Sequence, residues 1–206
     1  MAKKKGGLSH IYHKDRRCFS IMARTGAMSK DTFHQLEISD NRIKTYKQNG
    51  LIKEVSVPDK HGNGIKTFYE LTSKRGKDFC RQECNVKDFI SNGNASIHNA
   101  KVSEYLANNL TKNELTSVMS ERELHPFIED RLQEYWDRQE YGHYDELLEA
   151  LNNNQLSMPD VIYKSESNPG MIIAIEVITD NYGNEEISAK LETAELLGIE
   201  IQIVEA

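Results

Sequence analysis

The stretch Met158-Pro159-Asp160-Val161-Ile162-Tyr163, followed after a polar turn by Met171-Ile172-Ile173-Ala174-Ile175-Glu176-Val177-Ile178, decides the fold of the second half of this chain. Its two apolar runs predict two strands. Asp160 opens the first strand and Glu176 lies inside the second. A buried carboxylate there is costly unless it is hydrogen-bonded or bound to a metal ion. Glu176 therefore needs a partner, either a hydrogen-bonding or charged group of the chain or a metal ion.

The charge of the chain is divided unevenly along its 206 residues. Residues 1–90 carry 19 Lys and Arg against 10 Asp and Glu, a net charge of +9, whereas residues 91–206 carry 7 against 22, a net charge of -15. We expect two domains, 1–92 and 93–206, divided at Asn92-Gly93-Asn94. The basic domain suits double-stranded DNA, and the acidic domain suits a protein partner.

The composition also bears on compartment. No run approaches the roughly 20 apolar residues that span a bilayer, and Met1 to Lys5 leads into polar sequence rather than an apolar signal core. We expect a cytoplasmic protein without a membrane partner. The three cysteines lack the spacing of a disulfide framework, which suits a reducing compartment. Cys80 and Cys84 are either apolar fillers or, with Cys18, His10 or His13, ligands of a metal.

The first domain shows three short helical patterns followed by two β-rich runs. The helices are expected at Asp15 to Thr25, after an N-cap at Ser29, and at Asn41 to Gln48. The β-rich runs, residues 51–57 and 65–71, flank a Pro/Asp/Gly/Asn-rich loop and predict a hairpin. Three helices and a hairpin resemble a winged helix-turn-helix, and Leu71-Thr72-Ser73-Lys74-Arg75-Gly76 resembles the leucine-threonine-x-x-x-glycine closing of many such domains.

That resemblance implies that the third helix enters the major groove of DNA. The implied base and phosphate contacts lie on this helix and on the hairpin loop, or wing: Arg42, Lys44, Lys47 and Gln48, and Lys60 and His61. The alternatives are a basic helix face that is merely solvated, and a winged helix that contacts protein.

The second domain is predicted to run through a helix at Ser96 to Leu110, a strand at Glu114 to Met119 and a helical insertion at 121–157. The strands of Asp160 and Glu176, a helix with Lys190 and a final strand at 199–203 follow. The leucine-and-aromatic stripe of the insertion is interpreted as packing. This order resembles the three-layer PD-(D/E)xK nuclease core, so the fold class of the chain is α/β, of the α+β kind.

The nuclease resemblance implies that Asp160 and Glu176 bind Mg²⁺ as hard oxygen ligands and that a lysine positions water or phosphate. The sequence departs from the pattern, because Ile178 stands where that lysine is expected. Lys190 either leans over the sheet and replaces the missing group or pairs with Glu186 at i,i+4 on the helix surface. Glu104 is either an additional carboxylate or a solvated helix position.

The combined order of motifs is similar to that of the replication-relaxation proteins of plasmids and integrative elements. The similarity runs from about Asp15 onward and includes the His98 helix and Ser120-Glu121-Arg122-Glu123-Leu124. It implies a DNA-binding protein of a mobile element, acting in replication or mobilisation. We expect a homodimer. Two functions stay open: Mg²⁺-dependent phosphodiester cleavage, and a non-enzymatic regulator or inhibitor, which the acidic domain and the missing lysine favour.

Overall fold

The computed structural model describes residues 8, 10–58, 64–90, 96–179 and 182–205. The chain forms two compact units, Met1–Thr116 and Ser117–Ala206. The described ranges fold into mixed α and β structure with two separate sheets, which confirms the expected α+β class. None of the helices in the described ranges is long and apolar enough to cross a membrane.

The first unit holds six helices and three strands within its described residues: α1 (His13–Thr25), β1 (Ala27–Met28), α2 (Lys30–Gln35), α3 (Asp40–Gln48), β2 (Ile52–Pro58), β3 (Ile65–Leu71), α4 (Arg75–Glu83), α5 (Ser96–Asn109) and α6 (Glu114–Ser117), whose last residue lies just past the division. Its sheet is antiparallel, in the order β1-β3-β2. The three helices and the hairpin lie where the sequence predicts them. Strand β1 was not predicted, because two residues carry no periodicity.

The division between the units differs from the expected boundary at residue 92. Helix α5 belongs to the first unit. Its Ala100 packs in a buried cluster with Ala27 of β1 and Phe68 of β3. The expected linker, residues 92–94, lies outside the described residues. The acidic excess nevertheless follows the observed division, because residues 117–206 carry 5 Lys and Arg against 20 Asp and Glu, a net charge of -15.

The glycine of the Leu71–Gly76 motif is required by a close backbone approach. A Cβ atom on Gly76 would lie 2.2 Å from the backbone oxygen of Leu51. The threonine of the motif explains why the two segments come so close: the Thr72 hydroxyl donates to the Gly50 oxygen at 2.7 Å and accepts from the Gly76 amide at 2.8 Å. The motif therefore fastens the start of α4 to the turn before β2.

One predicted strand was wrong. The segment expected as a strand at Glu114 to Met119 is mostly helix α6. The Glu114 amide donates to the Thr111 hydroxyl at 3.2 Å and the Thr111 amide donates to the Glu114 carboxylate at 2.9 Å. This reciprocal capping satisfies amides at the start of a helix and outweighs the β-branched residues. Extended structure is confined to Met119–Ser120.

Among the residues that the structure describes, the second unit contains a four-stranded sheet and three α-helices: β4 (Met119–Ser120), a 3-10 turn at Glu121–Glu123, α7 (Leu124–Asp137), α8 (Tyr141–Asn152), β5 (Val161–Lys164), β6 (Ile172–Ile178), α9 (Asn184–Leu196) and β7 (Glu200–Glu205). The strand order is β4-β5-β6-β7. Strands β4, β5 and β6 are antiparallel, whereas β7 runs parallel to β6 after the α9 crossover.

The helical insertion packs as the leucine-and-aromatic stripe predicts. Ile128 and Tyr135 of α7, Leu147 of α8 and Leu197 after α9 form one buried cluster. A second cluster joins Leu124, at the start of α7, to Ile162 and Ala174 of the sheet. Since side chains two apart on a strand share a face, Glu176 lies on the Ala174 face of β6.

Candidate functional site

Four polar side chains, Asp160, Glu176, Tyr182 and Lys190, meet at the start of β5. We call them the carboxylate cluster. Glu176 is fully buried in the middle of β6. Asp160 directly precedes β5, Tyr182 lies in the segment after β6, and Lys190 is on α9. The fold therefore brings together the three residues that the sequence nominated and adds Tyr182, which it did not.

Both oxygens of Glu176 accept hydrogen bonds or ion pairs. Oε1 lies 3.1 Å from the Lys190 ammonium and accepts from the Tyr182 hydroxyl at 2.9 Å. Oε2 accepts from the Asp160 amide at 3.0 Å. These contacts answer how an ionisable group is accommodated inside an apolar strand.

Lys190 leans over the sheet rather than pairing along its own helix. Its side chain is 15% exposed and also donates to the Met158 backbone oxygen. Glu186, the alternative partner, instead accepts from the Gly183 amide at 2.9 Å at the start of α9. Lys190 thus links α9 to Glu176 and to the segment that leads into Asp160, while Ile178, where a lysine was expected, stays partly buried.

The carboxylates of Asp160 and Glu176 form reciprocal hydrogen bonds with backbone amides across the two strand ends. While the Asp160 amide donates to Glu176, the Asp160 Oδ2 accepts from the Val177 amide at 2.9 Å. The regular pairing of β5 with β6 ends at Val161 and Ile175. The two carboxylates therefore continue the connection between the strands beyond the last backbone pair.

The pKa of Glu176 reflects this setting. Burial raises it, and the neighbouring negative charge of Asp160 raises it further, whereas Lys190 and Tyr182 lower it. Burial, followed by the charge of Glu176, raises the pKa of the Tyr182 phenol. Tyr182 therefore stays a hydrogen-bond donor through neutral pH. Two carboxylates beside one ammonium give the ionised cluster an excess negative charge, which favours cations.

The carboxylate cluster matches Mg²⁺ in the type of its donors. Two carboxylates are enough for an ion that keeps several waters. Within the described ranges no group of three or more His, Cys, Asp and Glu side chains is placed to hold a metal ion. If an ion bound at this cluster, Asp160 and Glu176 would be its carboxylate ligands, and Lys190 and Tyr182 would compete with it for Glu176 Oε1. Glu104 lies on α5, in the first unit, and is partly buried.

Arg42 of α3, which was expected to contact DNA, instead binds a buried carboxylate inside the first unit. Its guanidinium binds Asp15, which is fully buried, through Nε at 3.1 Å and through a second, shorter contact. It also donates to the His10 backbone oxygen at 2.6 Å. The Tyr46 hydroxyl donates to the same Asp15 carboxylate. Arg42 therefore neutralises a buried charge.

The remaining predicted residues of α3 divide into two groups. Lys44 and Gln48 are exposed, and Lys44 has no ion pair with any residue in the described part of the chain. Lys47 is exposed but binds Glu54 of β2 and lies over the Tyr69 ring at 5.8 Å. Lys60 and His61 lie outside the described residues.

The outer face of α3 includes two residues that were not nominated. Ile43 and Tyr46 point inward as predicted. The opposite side of a helix then carries the i, i+3, i+4 and i+7 positions Asn41, Lys44, Thr45 and Gln48, and we call these four residues the α3 outer face. Helical periodicity alone identifies these four positions as the side opposite Ile43 and Tyr46. Selection by positive charge instead identifies Arg42 and Lys47.

The three cysteines are free thiols. Cys18 and Cys80 are fully buried and Cys84 is partly buried. Burial raises the pKa of the Cys18 thiol. Their environment between α1 and α4 fits the interpretation as apolar fillers.

The chain matches no family model, and no curated protein or solved structure matches it. The function is therefore proposed from the geometry of the carboxylate cluster and of the α3 outer face.

Proposed function

We propose that this chain is a duplex-DNA-binding protein, of the kind that mobile elements use in replication or mobilisation. The first unit acts as a winged helix-turn-helix. The observation that carries this proposal is the α3 outer face, on a short helix backed by a β-hairpin: Asn41, Lys44 and Gln48 are exposed and Thr45 between them is half-buried. The unit that presents it has 21 Lys and Arg against 12 Asp and Glu, a net charge of +9.

The chemistry of this face suits the major groove, which is wide enough to admit a helix. Asn41 and Gln48 carry amides that both donate and accept, as bidentate recognition of adenine requires. Lys44 supplies a positive charge for a phosphate or for guanine. The β2–β3 hairpin extends beside α3 and is the natural second contact with the phosphate backbone.

Charge reversal on the α3 outer face tests the proposal. Lys44→Glu should weaken binding of a mixed-sequence duplex and reduce the slope of affinity against salt by about one. Lys87→Glu makes the same charge change at another exposed position of the unit and serves as the matched control. Arg42 has to be left intact, because reversing its charge would place two carboxylates against each other in the core. Equal effects of the two variants in a gel-shift titration would reject the α3 assignment.

A second candidate function is phosphodiester cleavage by the second unit. The observation that favours it is Lys190, which reaches Glu176 from the next helix although Ile178 stands where a lysine is expected. When Mg²⁺ is bound, it supplies charge neutralisation of the phosphate and a bound water of lowered pKa. In this chain Asp160 and Glu176 would hold the ion, Lys190 would orient Glu176, and Tyr182 would donate a hydrogen bond to Oε1 of that carboxylate.

The alternative to cleavage is a regulator or inhibitor in which the carboxylate cluster only stabilises the fold and the acidic unit contacts protein. Incubation with supercoiled plasmid and Mg²⁺ or Mn²⁺ separates the two functions. The intact chain should nick the plasmid, and Asp160→Asn should not. If the two proteins nick equally, or neither nicks, the second unit does not act as a nuclease and the regulator is favoured.

A further inference from the structure

We propose that the first unit contains a phosphoryl-binding groove that is separate from the α3 outer face. The groove runs between α1 and the segment that joins α5 to α6. It comprises a cavity of about 400 Å³ and an adjoining one of about 820 Å³, and His13, Arg16, Arg17 and Lys112 line both. The ligand class is a phosphate or pyrophosphate group.

One side of the groove is formed by the polar face of α1. His13, Arg16, Arg17 and Ser20 stand at i, i+3, i+4 and i+7, so they form one row along the helix. The opposite side of α1 is buried in the core of the unit. The row holds two guanidinium groups, an imidazole and a hydroxyl, which can donate to oxygens of an anion, and the Arg16 guanidinium also binds the carboxylate of Glu83, another lining residue, at 3.0 Å.

The other side of the groove contributes a third permanent cation and further polar groups. Lys112, Asn113 and Thr116 line the smaller cavity opposite α1. Lys112 is 66% exposed and its ammonium binds the Glu37 carboxylate at 2.7 Å, so it can turn toward a ligand when that contact is exchanged. Cations facing each other across a groove suit an anion of more than one charge.

Arg17 provides the most direct sign that an anion belongs here. Its side chain is only 11% exposed, yet its nearest carboxylate oxygen, on Glu37, is 3.8 Å away. Its Nε atom is buried without a hydrogen-bond partner in the described part of the chain. A largely buried guanidinium with so little compensation is unfavourable, and an oxyanion would relieve the cost.

Glu37 acts as a resident competitor for the ligand. The Lys112 ammonium binds Oε1 of Glu37 at 2.7 Å, and the Arg17 guanidinium lies 3.8 Å from Oε2 of the same carboxylate. The Lys14 ammonium donates to the backbone oxygen of Glu37 at 2.9 Å. Three cations therefore converge on one residue that carries a single negative charge. A phosphate group carries more charge and more acceptor oxygens, so it should displace this carboxylate.

The test uses the full chain and inorganic pyrophosphate in isothermal titration calorimetry, with the ionic strength held constant by sodium chloride. We expect one saturable site. Arg17→Gln should weaken binding roughly tenfold, since a hydrogen bond to a charged group is lost. Glu37→Gln should tighten binding by about threefold or more, because the competitor is removed.

The matched control separates the groove from general electrostatics. Asp78→Asn removes the same charge from an exposed carboxylate of α4 that pairs with Arg81 at 2.9 Å. It should leave pyrophosphate affinity unchanged. Equal tightening by Glu37→Gln and Asp78→Asn, or no saturable binding to the intact chain, would overturn the groove.

A duplex-DNA arm identifies the source of the phosphate. If pyrophosphate competes with duplex and Arg17→Gln weakens both, the groove holds the DNA backbone. If Arg17→Gln loses pyrophosphate but leaves duplex affinity intact, the groove holds a free phosphorylated molecule. Lys44→Glu should leave pyrophosphate binding intact, so failure of the α3 assignment and failure of the groove give different results.

Discussion

Replacing Lys190 by methionine removes the positive charge beside Glu176 and keeps most of the aliphatic stem. Glu176 is fully buried and the Lys190 side chain is 15% exposed. Removing one partner of a buried ion pair costs about 3–5 kcal/mol, because the remaining charge is left uncompensated. The partial exposure of Lys190 places the expected loss of unfolding free energy near the lower end, about 3 kcal/mol at pH 8.

The pH dependence of this loss follows from the raised pKa of Glu176 in the folded chain. A carboxyl whose folded pKa is raised contributes stability that is fully present below its unfolded pKa, about 4.3, and is lost as the pH rises through its folded pKa. Lys190→Met raises the folded pKa further. The difference in stability between the intact chain and the variant should therefore widen from pH 5 to pH 8.

The measurement is urea unfolding of the full chain, followed by the fluorescence of its single tryptophan, Trp136. This residue is on α7, so it reports on the unit that contains the carboxylate cluster. The double variant Lys190→Met/Glu176→Gln should recover part of the loss, because no buried charge remains. A loss below about 1 kcal/mol, typical of an exposed pair, or one that is equal at both pH values, would refute the assignment of Lys190 as the partner of Glu176.

The remaining predictions concern single contacts. Tyr182→Phe removes a donor to the same buried carboxylate and should cost about 1–3 kcal/mol by Trp136 fluorescence, with more lost at pH 8 than at pH 5; an unchanged midpoint would contradict this. Burial raises the pKa of Asp15, but the hydrogen bonds from Arg42 and Tyr46 outweigh burial and lower that pKa. The ionised Asp15 therefore stabilises the fold above about pH 4, and this contribution to the free energy of unfolding is lost as the pH falls further. Asp15→Asn should cost about 3 kcal/mol at neutral pH and remove this acid dependence in circular dichroism, whereas an acid midpoint shared with the intact chain would reject it. Gly76→Ala should cost about 2–3 kcal/mol because its Cβ meets a backbone oxygen, while Gly64→Ala, with open space around it, should be neutral.

Local patterns were sufficient for most of the elements. Caps and apolar spacing located α1, α2 and α3, and the alternation of β6 located the face that carries Glu176. The same rules failed at Glu114, where a reciprocal cap made a helix from a segment with β-branched residues. They also missed β1, whose two residues become a strand only because β3 is available to pair with them.

The charge of a residue on α3 does not show whether that residue is already paired within its own unit. Arg42 and Lys47 have the charge expected of DNA contacts, but each is paired with a carboxylate of its own unit. The partner of Arg42 is Asp15, 27 residues away in the sequence, and the partner of Lys47 is Glu54, 7 residues away. Such pairings depend on how helices and strands pack, so no pattern within α3 reveals them.

The sequence by itself determined that a carboxylate at Glu176 would be buried and would need a partner, because an unbroken apolar strand leaves it no access to water. The tertiary structure decided which partner it has. The i,i+4 spacing within α9 predicts an ion pair between Lys190 and Glu186, and that pair would be exposed to solvent. The crossover from β6 through α9 to β7 places Lys190 over the sheet instead, where its charge compensates one that cannot reach water. A buried carboxylate gains far more from an ammonium than an exposed one does, and only the packing of α9 on the sheet made that ammonium available.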